Sequence, residues 1–220
     1  MAEETFRKAL ELSKSVGPRI AAVSGGEPTE HPDIIRFLEI AEETGVPTLL
    51  LSNGMFLADK DFADDIIRKT RAVQITNDPR YYPQPLPEEA EEYRNEINVA
   101  FEDTIRLISP TGRAKDGAFP TQQRQSPHCF NIRSMTMNTH SLNLAMLALL
   151  NHGYFCCPSV NIDGTVVAGE LPICYPLGTV DDDDLALSTK MRTMACNKCG
   201  LYDGIDQELR LAVGESRIIL

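Results

Sequence analysis

The chain has 220 residues, 42% hydrophobic and 24% charged, which is ordinary globular composition with apolar material for a sizeable core. Its 21 Lys and Arg against 32 Asp and Glu give a net charge of -11, so nucleic acid and anionic membrane surfaces are poor partners. The longest apolar run, LNLAMLALL at 142–150, is far short of a membrane span, and residues 2–14 are charged throughout rather than leader-like, so the expected location is the cytoplasm.

Residues 3–15 set Phe6, Leu10 and Leu12 among charges and are expected to form a helix. RIAAVS (19–24) reads as a strand. HPDIIRFLEIAEETG (31–45) places Ile34, Ile35, Leu38 and Ala41 at helical spacing and stops at Gly45. TLLLSN (48–53) is a continuous apolar run of strand length, suited to a parallel sheet covered on both faces. KDFADDIIRKT (60–70) is again helical and AVQIT (72–76) again a strand. This alternation predicts βα-type units around a parallel sheet.

YYPQPLPEEAEEYRNE (81–96) reads as a proline-broken loop running into a short acidic helix, and 97–108 as one bent strand or two short ones. Gly, Pro and Ser recur through 109–128, which marks a domain boundary. Beyond it, SVNIDGTVVAGE (159–170) predicts a hairpin turning at Asp163–Gly164. The acidic run 181–184 reads as a solvated loop or a helix start, 141–151 as an apolar helix, and 206–220 as a short amphipathic tail.

Two stretches carry chemistry. The first is AAVSGGEPTEHPDI (21–34), where a strand ends in Gly25, Gly26, Glu27 and Pro28. Ligands of parallel sheets sit beyond the carboxyl ends of the strands. Two glycines there admit a ligand close to the backbone, and Glu27 offers a carboxylate to an ammonium group. Asn53 stands at the end of the next strand, and Thr76, Asn77 and Asp78 at the end of the third. The alternative for Glu27 is a purely local role, capping the helix that follows.

The second stretch holds all six cysteines of the chain, none earlier than Cys129. Cys196 and Cys199 form CNKC, a metal-knuckle spacing, and Cys156, Cys157 and Cys174 lie upstream. In a reducing compartment such a set points to metal before disulfides, and four thiolates suit an iron–sulfur cluster or tetrahedral zinc alike.

AAVSGGEPTEHPDI resembles the GGEP segment of the radical S-adenosylmethionine (radical SAM) superfamily. LLLSNGMFL resembles its third-strand TNG segment, AVQITNDPR its fourth strand, and SPTGRA (109–114) the PxGRA stretch of some members, in that order over about residues 5–114. The resemblance implies that Gly25, Gly26, Glu27, Pro28, Asn53 and Asn77 contact S-adenosylmethionine, with Glu27 at its amino group. CPSVNIDGTV, CYPLGTV and CNKC similarly resemble the SPASM/Twitch auxiliary-cluster extensions, although AGE stands where those usually place a cysteine. That second resemblance implies one auxiliary iron–sulfur cluster, with zinc as the alternative, on Cys157, Cys174, Cys196 and Cys199. Cys156 is expected to point away from its neighbour if the strand is extended, and Cys129 is read as a core residue, with an extra ligand as the alternative.

The resulting expectation is an α/β fold: an incomplete, partial-TIM-barrel-like (βα) sheet over 1–115, a small cysteine-rich metal module over 116–205, and a tail over 206–220. The CxxxCxxC loop that holds the superfamily's own [4Fe–4S] cluster is absent from the sequence. The chain is therefore read as a fragment of a longer enzyme or as a degenerate member, and as unable to cleave S-adenosylmethionine by itself. Three functions are carried forward: a radical SAM-type iron–sulfur protein acting on a peptide or small metabolite, a non-catalytic relative that binds a partner, and a zinc-stapled structural module.

Overall fold

The structure, a computed structural model, describes residues 1–16, 20–79, 82–102, 158–169, 174 and 176–193. The chain divides into two compact units, one from Pro18–Arg106 and one from Met1–Gly17 with Leu107–Leu220. The fold is mixed α/β, with a four-stranded parallel sheet alternating with helices.

In the Pro18–Arg106 unit, strands β1 (Ala21–Val23), β2 (Thr48–Ser52), β3 (Ala72–Thr76) and β4 (Val99–Glu102) lie side by side in chain order, every pair parallel. Helix α2 (Ile34–Thr44) joins β1 to β2, and α3 (Lys60–Lys69) joins β2 to β3. Short 3-10 turns at Pro28–Glu30, Met55–Ala58 and Glu88–Tyr93 complete the connections.

The helix ends follow from their residues. The Asp59 side chain accepts from Phe62 N at 3.2 Å and caps α3. Helix α2 stops where Gly45 N donates to Glu42 O and Val46 N to Ala41 O, each at 3.0 Å, a Schellman-type closure. The helices expected at 31–45 and 60–70 and the strands expected at 19–24 and 48–53 stand here, shortened by one to three residues at one or both ends, and the strand at 72–76 stands unchanged. The acidic segment is a 3-10 turn rather than a full helix, because Pro87 sets its start and only one short stretch of backbone follows before β4.

Strand alternation decides what the sheet buries. Leu50, Val73, Ile75 and Val99 share one face with Ile34 and Leu38 of α2, Ala63 and Ile66 of α3, and Phe56, Leu57, Ala90 and Tyr93 of the turns. This is the core of the unit, and Leu38, Leu50, Leu57, Ile66 and Ile75 are wholly buried in it. The other face carries Leu49, Leu51, Ala72, Gln74 and Glu102, all half-buried. There Gln74 Nε2 donates to Glu102 Oε2 at 2.7 Å, a polar tie between adjacent strands. The LLL run is thus split between a dry face and a partly polar one.

The second unit has its own core. The predicted hairpin forms between β5 (Ser159–Val160) and β6 (Thr165–Val167). Its turn is closed by Gly164 N donating to Asn161 O at 2.9 Å, with Asp163 accepting from Thr165 N at 2.9 Å. A third antiparallel strand, β7 (Pro176–Thr179), pairs with β6 across a register irregularity. The acidic run does start a helix: Asp183 caps α4 (Asp184–Thr193), its Oδ2 accepting from Ala186 N at 2.8 Å. Helix α1 (Glu3–Val16) packs into this unit, with Leu12 buried among Val166, Ala168, Leu177, Val180 and Leu187. At its surface Lys8 Nζ pairs with Asp181 at 2.7 Å. The predicted boundary at 109–128, the helix at 141–151 and the tail at 206–220 lie outside the described residues. Among the described residues no helix is long and apolar enough to cross a membrane.

Candidate functional site

The carboxyl ends of β1 and β2 are physically joined, and Glu27 is the joint. Its Oε1 accepts from Thr29 N at 3.1 Å, from Thr29 Oγ1 at 2.7 Å and from Ser52 Oγ at 2.8 Å. Its Oε2 accepts from Asn53 N at 2.7 Å. The Thr29 bonds make Glu27 the cap of the Pro28–Glu30 turn, the local role that the sequence allowed. The Ser52 and Asn53 bonds reach across to the neighbouring strand. Charge-assisted bonds of this kind are the stronger class, and four donors converge on one half-buried carboxylate.

The network continues into the turn after β2. Ser52, 5% exposed, also accepts from Gly54 N at 3.0 Å. Asn53 Oδ1 accepts from Met55 N at 2.9 Å, which turns the Asn53 side chain back over the Met55–Ala58 turn and leaves its Nδ2 as the donor end. Gly54 sits at φ +83, and a Cβ there would lie 2.6 Å from Ile75 Cγ2 and 2.6 Å from Leu86 Cδ2. Only glycine meets both demands.

The two glycines before Glu27 are in a different situation. Gly25 (φ +149) and Gly26 are exposed, and a Cβ added at either meets nothing within 4 Å. Their backbone is open to close approach, as a ligand loop requires. Pro28 opens the 3-10 turn, where its missing N–H costs nothing. Asn77 is half-buried and turned toward β4, its backbone N donating to Glu102 O at 3.1 Å. The structure therefore brings Gly25, Gly26, Glu27, Pro28 and Asn53 into one connected strand-end cluster, and ties Asn77 to the next strand along.

Sequence reasoning missed Ser52 and Thr29, the two hydroxyls that complete the Glu27 network. Ser52 had a signal in its position: a small hydroxyl residue closing an apolar strand, directly before the asparagine of the turn. The contact itself spans 25 residues of sequence and leaves no local trace.

Of the four expected metal ligands, Cys174 is described, and it is half-buried. Cys157, Cys196 and Cys199 lie outside the described residues, as do Cys129 and Cys156. Among the described residues no group of three or more His, Cys, Asp or Glu could hold a metal ion. Four thiolates, as the expected set would supply, would suit an iron–sulfur cluster or tetrahedral zinc by donor chemistry. For S-adenosylmethionine the fit is divided. The open Gly25–Gly26 backbone suits a close ligand, whereas the Glu27 carboxylate already holds four donors of its own chain.

A groove of about 350 Å³ lined by Asp64, Ile67, Arg68, Tyr93, Glu96 and Asn98 lies between the last turn of α3 and the start of β4. That is the amino end of the strands, where parallel sheets do not place ligands. Tyr93 is 6% exposed and its hydroxyl donates to Asp64 at 3.0 Å. Burial first, and then the Asp64 carboxylate, push its phenol up to about 12. The neutral form is the one the fold favours, so its contribution is complete below pH about 10, the unfolded value, and is lost as pH rises through about 12. A Tyr93→Phe variant is expected to lose about 1 kcal/mol at neutral pH, the worth of one hydrogen bond. In denaturant titrations it should lack the parent's added loss of stability above pH about 10. A parent-like alkaline profile in the variant would contradict this.

No protein-family model matches the chain, and no curated protein matches it.

Proposed function

We propose that this chain is a radical SAM-type iron–sulfur protein that serves modification of a peptide or small metabolite, built from an incomplete (βα) barrel-like sheet and a SPASM/Twitch-like cysteine module. The observation that carries the reading is the Glu27 joint. The two segments that resemble the superfamily's GGEP and TNG stretches meet at adjacent strand ends, bonded to each other through Ser52 and Asn53. Two further features support it. A parallel sheet laid down strictly in chain order is singly wound, like a stretch of barrel wall, whereas nucleotide-binding sheets reverse their order at a switch point. The hairpin at Asp163–Gly164 also follows the auxiliary-module pattern, between Cys157 and Cys174.

In this reading Cys157, Cys174, Cys196 and Cys199 hold one auxiliary cluster. The strand ends at Gly25, Gly26, Glu27, Pro28, Asn53 and Asn77 form the S-adenosylmethionine side. A bound cluster supplies a one-electron redox centre. No cysteine precedes Cys129, so cleavage of S-adenosylmethionine is not assigned to the chain as it stands. Four reduced thiolates accord with a cytoplasmic location.

The test for the strand-end half is a titration of the full chain with S-adenosylmethionine, followed by backbone amide shifts. The expected result is saturable shifts centred on Gly25, Gly26 and Asn53. Shifts confined to other parts of the chain, or none at all, would remove the S-adenosylmethionine assignment.

A further inference from the structure

We propose that Glu27 is a positioning residue: a carboxylate clamp across the ends of β1 and β2 that fixes the Asn53–Gly54 turn, rather than the group that receives a ligand ammonium. The inference rests on the reading of this strand end as a ligand site, and refines which atoms of it face the ligand. Every partner of the carboxylate is a donor from its own chain: Thr29 N, Thr29 Oγ1, Ser52 Oγ and Asn53 N. A carboxylate oxygen has about two lone-pair directions; three donors crowd Oε1, and Asn53 N takes one of the two on Oε2. An incoming ammonium is left only the second lone-pair direction of Oε2, beside the Asn53 N bond, unless it displaces one of the four donors.

The clamp has a consequence for the turn. Asn53 N is drawn onto Oε2 at 2.7 Å and Gly54 N onto Ser52 Oγ at 3.0 Å, so the backbone enters the turn already fixed. That setting directs the Asn53 side chain, whose Oδ1 is taken by Met55 N. The groups left to meet a ligand are the Asn53 Nδ2 and the open backbone at Gly25 and Gly26. Glu27 thus shapes the site from behind.

The clamp requires an ionised carboxylate of this length. Gln keeps the shape but brings an NH₂ donor into a ring of donors. Asp keeps the charge but falls one methylene short of the neighbouring strand. Neither substitution restores all four bonds.

The experiment compares Glu27→Gln, Glu27→Asp, Ser52→Ala and the Glu27→Gln/Ser52→Ala double variant in the full chain, first without ligand. Amide hydrogen exchange and the Asn53 amide proton shift are the readouts. The expected result is that Asn53 exchange quickens about tenfold or more in Glu27→Gln, from loss of one charge-assisted bond. Its amide proton should also move upfield, and Glu27→Asp should not rescue either effect. The double variant should be no worse than Glu27→Gln, since both changes break one network. Unchanged Asn53 protection and amide shift in Glu27→Gln would overturn the clamp. Ser52→Ala removes two bonds, the one to Glu27 Oε1 and the one from Gly54 N, and leaves the carboxylate in place, so its measurement stands even if the Glu27 variants do not fold. S-adenosylmethionine is then added as the probe. Loss of its binding in Glu27→Gln with Asn53 protection intact would make Glu27 a direct contact and also overturn the proposal. Failure of the parent chain to bind it would remove the ligand reading while the exchange data still decide the clamp.

Discussion

Gly54→Ala is expected to lower the stability of the Pro18–Arg106 unit by about 2–5 kcal/mol, from left-handed strain of roughly 1–2 and overpacking of roughly 1–3 kcal/mol. The two costs arise at one atom. Gly54 has φ +83, and its new Cβ would sit 2.6 Å from both Ile75 Cγ2 and Leu86 Cδ2. Ile75 is wholly buried in the centre of the sheet and has no room to retreat. In a unit of this size the loss corresponds to a melting temperature lower by on the order of 10 °C or more. The effect should reach the strand end as well, because Gly54 N is bonded to Ser52 Oγ and through it to Glu27. Gly26→Ala is the matching control. That residue has open space and no positive φ, so its stability should stay within about 0.5 kcal/mol of the parent. Thermal melts of the two variants decide the matter, and equal stabilities would contradict the account.

The second large effect belongs to the cysteines. Cys196→Ser or Cys199→Ser is expected to strip the metal from the C-terminal module and to destabilise the unit that contains β5, β6 and β7. Metal binding to such a site is folding free energy, on the order of 10 kcal/mol for structural thiolate sites. A single serine removes one thiolate and with it the geometry of the set. Cys129→Ser and Cys156→Ser are expected to keep their metal, since neither belongs to the proposed ligand set. Elemental analysis of the parent and the four variants, purified in parallel, is the measurement. Parent-like metal content in both the Cys196 and Cys199 variants would remove the ligand assignment.

The parts of this fold that were legible in the sequence are those written by local rules. The 3.6-residue spacing of Ile34, Leu38 and Ala41 and the stop at Gly45 specify α2 without help from the rest of the chain. AVQIT is β3 residue for residue, because a short β-branched run between two helices has few alternatives. Asp163–Gly164 names its own hairpin.

Other features are written by contacts between distant residues. Helix α1 shows an apolar stripe, but periodicity says nothing of its partner, and Leu12 turns out to pack against β6, β7 and α4. Strand β7 contains Pro176 and Gly178, which weaken any strand signal, and it exists because β6 offers an edge to pair with. At the strand ends the sequence pointed to Gly25, Gly26, Glu27, Pro28 and Asn53, which the structure brings side by side. It could not show that Glu27 spends its carboxylate on Ser52 and Asn53, because hydrogen-bond partners 25 and 26 residues apart follow only from sheet register. Register also draws Asn77 toward Glu102.

The measurement that bears most directly on the proposed function is iron, acid-labile sulfide and zinc content, with a visible spectrum, on the full chain purified without oxygen. The account predicts iron and sulfide in equal amounts, a broad visible absorption, and loss of both in Cys199→Ser. Zinc without sulfide, or a colourless protein with neither metal after reconstitution with iron and sulfide, would contradict it.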